Sequence, residues 1–382
     1  MQRTASSTAD RRVGRRPRPG TWAAVSLSGL LLAMSAGVAN AQSEEVLETL
    51  VPGVVSADWL VLDRETGTWS PTDEHPTEWV AEVRPAQEPY SMAWGSQSES
   101  IAFGVDVSRG VQEAAELVGV ELNSLNNDFP DTAKPIELAE TVALTQPDMF
   151  INFNALVAIE PRIQQILNEA RVPNITITFQ VPNTPVFGAD NYTVGVLAGE
   201  YLASHITENE WPQEEVYVVA CDDLRLGAFI RSRIDGSFFA LNRDTPLVPV
   251  ANYTRLDCQD PEGSQRLMTD WLTANPQAQY IVMSVISDFR LIAMANALKA
   301  AGRDEFAAGV GLGLDESAKE IIRRADPKAF VGSVAFFPEL YGRFAMALAL
   351  DGLEGKPVPR AVSPDHLVVD TNNIDEIYPL AE

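Results

Sequence analysis

Residues 188–206 read GADNYTVGVLAGEYLASHI, a polar Asp-Asn pair set directly before a run with helical spacing. Val194, Leu197, Ala198, Tyr201, Leu202 and His205 recur at three- and four-residue intervals, and nothing interrupts the pattern until Thr207. The run predicts an amphipathic helix of about four turns. Asp190 or Asn191 can cap it, because a short side-chain oxygen accepts the first free backbone N–H groups. One residue suffices for that, which leaves the other for a different task.

On either side of this helix the chain repeats one rhythm. Before it, the short apolar runs YSMAW (90–94), ELNSL (121–125), MFINF (149–153) and NITITF (174–179) predict strands, separated by helical patterns around 104–118, 133–146 and 158–170. After it, strands are expected at VYVVA (216–220), LVPVA (247–251), YIVMS (280–284) and AAGVGLG (307–313), again with helices between. Two successive βαβα series imply an α/β protein of two doubly wound parallel-sheet lobes, each sheet covered by helices on both faces. Ligands bind such sheets at the carboxyl edge, where strands turn into helices. The cleft between the lobes is therefore the expected site, and Asn191 stands where one lobe hands over to the other.

The first 41 residues read as a cleavable export signal. Six arginines precede Gly20, the apolar stretch TWAAVSLSGLLLAMSAGVA follows, and Ala39-Asn40-Ala41 supplies a small-residue cleavage site. The apolar core is short of a bilayer span. The expected product is periplasmic, and the twin arginines at 11–12 and 15–16 leave the export route open. Six of 28 basic residues and one of 53 acidic ones fall in that segment, so the remainder carries 22 against 52, a net charge of −30. Nucleic acid and anionic membrane surfaces are excluded as partners on that ground. The acidic residues are scattered, as on a solvated surface. Cys221 and Cys258 are the only cysteines. An oxidising compartment permits them to pair, and the sequence gives no geometry that decides it.

Residues 42–87 form an N-terminal extension without a legible role. DWLVLDRETGTWSPTDEHPTEWV (58–80) carries three tryptophans, a turn signal at ETGT and two proline breaks, which suits a hairpin or an arm packed on the first lobe.

Catalytic motifs are sparse. The three histidines, His75, His205 and His366, lie far apart, and no G-x-S-x-G, H-E-x-x-H or P-loop pattern occurs. GVGLGLDES (309–317) has G-x-G-x-G spacing, and the third glycine of the dinucleotide fingerprint falls on Leu314. No cofactor and no metal are expected. At the strand-to-helix turns of the second unit stand Ser287 and Asp288 in MSVISDFRLIAMANALKAAGR and Asp315 in GLGLDESAKEII, while FIRSRIDGSFFALN adds Arg231 and Arg233. Each Asp taken alone can be a helix cap. Acidic acceptors and a guanidinium converging on one cleft suit a neutral polyhydroxylated ligand, since charge-assisted hydrogen bonds read hydroxyls with direction.

VFGADNYTVGVLAGEYLA, RSRIDG, WLTANPQAQYIVMSVISDFRLIAMANALKAAGR, GLGLDES and VGSVAFFPELYGRFAMALALDGLEGKPVP together resemble the periplasmic sugar-binding proteins of ABC importers, the type I ribose/galactose class, over roughly residues 88–382. The resemblance implies two lobes joined by a three-strand hinge, with crossings near 188–190, 335–337 and 363–366. The N-terminal lobe would comprise 88–189 plus 336–364 and the C-terminal lobe 190–335 plus 365–382. It also implies a monomer that binds a sugar or polyol and hands it to an ABC permease, with no catalysis. In that family an Asn, an Arg, an Asp and an early aromatic hold the sugar; by position these fall on Asn191, Arg233, Asp315 and Phe103. Three departures accompany the match. Thr178-Phe179 stands where ribose-type members carry Asp-Arg, Ser287-Asp288 where they carry Asn-Asp, and Phe336 where they carry Gln. With Phe179 and Phe336 replacing charged and amide groups, the expected wall is more apolar and favours a ring face or a less hydroxylated ligand; either ring can also be ordinary core. A sensory receptor that docks on a chemoreceptor or histidine kinase is the alternative. A carbohydrate hydrolase using Asp288 and Asp315 as paired carboxylates is the third reading.

Overall fold

The computed structural model describes residues 52–54 and 56–380. The leader expected over 1–41 and the segment 42–51 lie outside the described residues.

The described chain enters on β1 (Pro52–Val54), then a hairpin of β2 (Trp59–Asp63) and β3 (Thr68–Thr72). Its turn holds Gly67 at φ 68, a conformation that glycine adopts without a Cβ penalty. The first α/β series follows: β4 (Ser91–Ser96), α1 (Ala102–Val118), β5 (Glu121–Asn126), α2 (Lys134–Thr145), β6 (Met149–Asn152), α3 (Glu160–Ala170), β7 (Asn174–Ile177) and β8 (Val186–Phe187). The second runs α4 (Asn191–Glu208), β9 (Val216–Asp222), α5 (Gly227–Asp244), β10 (Tyr253–Asp257), α6 (Pro261–Ala274), β11 (Tyr280–Val285), α7 (Asp288–Ala300), β12 (Ala307–Gly313), α8 (Glu316–Arg324) and β13 (Phe330–Ala335). The chain then returns through α9 (Tyr341–Leu353), β14 (Val358–Pro359), β15 (Ala361–Pro364), β16 (Val368–Val369) and α10 (Ile374–Ile377).

Two large sheets result, in the order β1-β15-β8-β7-β6-β4-β5 and β10-β9-β11-β12-β13-β16. Neighbouring strands are parallel except β1 on β15 and β16 on β13. Every residue of β6, β7 and β12 is buried, as expected for central strands covered on both faces, whereas no residue of the edge strands β5 and β10 is. In the first lobe the two faces are distinct. Val107 and Ala114 of α1 join the main core with α9, while Ala139 and Val142 of α2 pack with Ile163 and Leu167 of α3 on Phe150. In the second, α4 lies so close to α5 that a Cβ on Gly195 would stand 2.0 Å from the Arg233 carbonyl oxygen. That approach fixes the backbone of Arg233 against the start of α4.

The strand expected at LVPVA (247–251) is displaced: pairing with β9 begins at Tyr253. Pro246 and Pro249 bring no N–H donor, so Val250–Asn252 make a 3-10 turn and the ladder starts where donors resume. Cys221, in β9, and Cys258, just beyond β10, form a disulfide.

Three segments pass between the sheets. Residues 188–190 link β8 to α4, 336–340 link β13 to α9, and 365–367 link β15 to β16. β14, β2 and β3 form a small third sheet beside the first lobe. It is fastened there by Trp69, whose indole donates to the Asn174 carbonyl at 2.9 Å, and by Trp79, which donates to Asp351 of α9 at 3.0 Å. Arg84 adds ion pairs to Asp351 and Glu354.

Candidate functional site

The carboxyl ends of both sheets face one cavity of about 80 Å³. From the first lobe come Gln97 after β4, Phe103 of α1, Phe153 after β6, and Thr178 and Phe179 after β7; Phe336 arrives on a crossing segment. From the second come Arg233 of α5, Ser287 and Asp288 at the mouth of α7, and Asp315 at the mouth of α8. Of the nine residues singled out by sequence, Arg231 pairs instead with Asp222 at 3.0 Å, and seven share this wall.

Asn191 does not. It is 2% exposed and stands behind Arg233, accepting the guanidinium Nε–H on Oδ1 at 2.7 Å, and it lines a neighbouring cavity beside Gly188 and Asp190. Its Nδ2 has no hydrogen-bond partner. Asp190 is the cap of α4, accepting from the backbone N–H and the hydroxyl of Thr193. Of the Asp-Asn pair, one member starts the helix and the other holds Arg233 in place.

Arg233 is the most constrained group. A second donor, Nη1, reaches the Ile286 carbonyl at 2.6 Å, and the guanidinium lies 4.9 Å from the centre of the Phe336 ring. Among the described residues it has no ion-pair partner, and burial pulls its pKa down to about 10. A buried cation with no ion-pair contact calls for acceptor atoms on whatever fills the cavity. Arg290, also on the wall, is by contrast fully engaged, donating to Cys258 O, Ser287 Oγ and Asp223 Oδ2 at 2.8–2.9 Å.

The two carboxyls differ in role. Asp315 caps α8 through one oxygen, which accepts the Ala318 N–H at 3.0 Å. Asp288 spends both oxygens on the protein: Oδ1 takes the Ser333 hydroxyl at 2.6 Å and Oδ2 the Asp315 N–H at 3.2 Å. Burial and the neighbouring Asp315 push Asp288 up to about 8; burial also raises Asp315. Because native Asp288 keeps its proton to a higher pH than the unfolded chain does, its contribution to stability is lost as pH rises from about 4 to about 8. The expected result is that Asp288→Asn, an uncharged stand-in, melts close to the wild type near pH 4 and increasingly above it towards pH 8. A difference independent of pH between the two melting curves would contradict the assignment.

The sequence reading missed Phe129, Phe153 and Phe289, which bring the phenylalanines of the wall to six, and Gln97, whose Oε1 is buried without a partner. Phe129, Phe153 and Gln97 stand just past strand ends, and that position was the available signal. Phe103 sits at their centre, edge-on to Phe336 at 6.0 Å and to Phe153 at 6.4 Å. The lobes also touch directly, since the Glu316 N–H donates across the gap to Asp106 of α1 at 3.3 Å. The polar groups of this wall are concentrated on the second lobe, and the first lobe contributes chiefly rings.

The same architecture occurs in solved structures. An ABC transporter periplasmic solute binding protein from Actinobacillus succinogenes with bound D-allose superposes with a TM-score of 0.65 at 19% identity, over 76% of this chain and 100% of that one. A glucose-galactose binding protein from Geobacillus stearothermophilus gives 0.63 at 18%, over 75% and 99%. An ABC transporter solute binding protein from Bacillus halodurans with bound myo-inositol gives 0.63 at 17%, over 76% and 97%. Among curated protein sequences none matches. The family described as periplasmic binding protein domain matches residues 93–357, which is most of the chain. The protein belongs to the periplasmic binding proteins and has their type I fold.

Proposed function

We propose that the protein is an extracytoplasmic, monomeric receptor that captures a small uncharged ligand of the sugar or polyol class between its lobes and delivers it to an ABC importer. The observation that carries this reading is the convergence of Arg233 and Asp315 with Phe103, Phe179 and Phe336 on one interlobe cavity. Opposite charges on one lobe read hydroxyls along a single edge, and rings on the other cover an apolar face. Segments 188–190, 336–340 and 365–367 act as the hinge, and closure strengthens each polar contact by removing water. The family relatives with bound D-allose and myo-inositol support the ligand class.

A ligand of this kind presents to the first lobe a ring face or an edge with few hydroxyls, because that wall is chiefly rings. The sensory alternative uses the same closed state and differs only in the membrane partner. Hydrolysis is disfavoured, since Asp288 has both oxygens occupied by protein donors and is not free to act on a substrate. The test is a thermal-shift screen of the chain against monosaccharides, deoxysugars, cyclic polyols and nucleosides. A true ligand at a hundredfold excess over its Kd stabilises by about 2.7 kcal/mol. Recovery of the bound compound unchanged supports a receptor, its conversion on incubation supports an enzyme, and no shift with any sugar or polyol refutes the ligand class.

A further inference from the structure

A second cavity, of about 490 Å³, lies outside the interlobe cleft. Its walls are the β2–β3 hairpin at Gly67–Trp69, one side of α3 from Glu160 to Asn168, and the loop from Phe179 to Thr184. Phe179 is shared: this ring separates the cavity from the cleft. The ring is held there by a tight three-residue turn, in which the Phe179 N–H donates to the Ile177 carbonyl at 2.9 Å while Thr178 adopts φ 73. A β-branched residue in that region is strained, and such strain persists where the surroundings dictate it.

The lining chemistry is consistent. Six carboxamides, Asn154, Gln164, Asn168, Asn174, Gln180 and Asn183, surround the space, and no Lys, Arg or His contributes to it. An anion would find no counter-charge. The only acid, Glu160, is already satisfied: it accepts from Asn154 Nδ2 at 2.7 Å and Gln164 Nε2 at 3.0 Å, and burial favours its neutral form, so it offers little to a cation. Asn174 adds a further polar group to this wall. It is 4% exposed, its carbonyl is taken by the Trp69 indole, and its Nδ2 has no partner. A buried donor left unpaired is unfavourable, and this one belongs to a residue of the cavity wall.

We propose that this cavity is a second binding site, for a small uncharged ligand bearing hydroxyl or amide groups, and that the N-terminal hairpin exists in part to wall it. Its volume falls in the range of small-molecule pockets, and its amides supply both donors and acceptors without charge. The site shares only Phe179 with the cleft and does not rest on the receptor reading given above.

Equilibrium dialysis with radiolabelled glucose, xylitol and N-acetylglucosamine at millimolar concentrations tests it, using the wild type, Arg233→Ala to disable the cleft, and Asn168→Trp to fill the cavity from the exposed face of α3. At least one probe should retain a saturable site in Arg233→Ala, and adding Asn168→Trp should weaken that site at least tenfold. Val157→Trp, on the opposite exposed lip, serves as the second filling variant if Asn168→Trp does not fold. The proposal is overturned if no saturable binding survives Arg233→Ala, or if what survives is insensitive to the filling variants.

Discussion

Arg233→Ala is expected to weaken ligand binding by about 2 kcal/mol or more, roughly thirtyfold, in titration calorimetry with whichever compound the thermal screen selects. The magnitude follows from what the residue does. Its guanidinium is buried, has no ion-pair partner among the described residues, and is aimed by Asn191 and the Ile286 carbonyl at a cavity whose first-lobe wall bears no charge. A ligand acceptor placed there completes a charge-assisted bond in a dry setting, and truncation leaves that acceptor unpaired. The substitution also frees Asn191 Oδ1, so a stability cost of about 1 kcal/mol or more accompanies it. Asn191→Leu separates the two effects. It keeps the cation and removes its support, so affinity should fall by less than in Arg233→Ala. Unchanged affinity in Arg233→Ala would place the ligand elsewhere.

This division of labour at the start of α4 marks the limit of what the sequence could say. The βαβα rhythm, the helix at 191–208 and the carboxyl-edge location of Arg233, Asp288 and Asp315 were readable because hydrophobic period and turn position are local properties. Whether Asn191 faces the ligand or the arginine is not local. It depends on α4 and α5 meeting at Gly195, which brings residues 42 positions apart within 2.7 Å. The same holds for Asp288, which looks like a site carboxylate by position yet is consumed by Ser333 and the turn before α8. β10 begins later than the run LVPVA for a local reason: Pro249 within it and Pro246 just before it bring no N–H donor. β13 was passed over because FVGSVA breaks its apolar run with Gly332 and Ser333, the residue that Asp288 needs. Phe129 went unnoticed because only the assembled lobes turn the loop after β5 into a wall of the cavity.

Removing the Cys221–Cys258 bond should cost about 4 kcal/mol of stability, the value chain entropy assigns to closing a loop with a sequence separation of 37. The measurement is urea unfolding of Cys221→Ser/Cys258→Ser against the wild type, repeated under reductant. The bond ties β9 to the segment just after β10, an edge strand that is otherwise held by one neighbour. That location links stability to the site. The Cys258 carbonyl accepts Arg290 Nε at 2.8 Å, and Arg290 in turn holds Ser287 at the cavity wall. Loosening Cys258 should therefore raise the ligand Kd as well, by less than Arg233→Ala does, because the cation that meets the ligand stays in place. A stability loss below about 1 kcal/mol would mean that the parallel ladder between β9 and β10 and the Arg290–Asp223 pair already restrain this edge. The disulfide would then be incidental to the cleft rather than one of its supports.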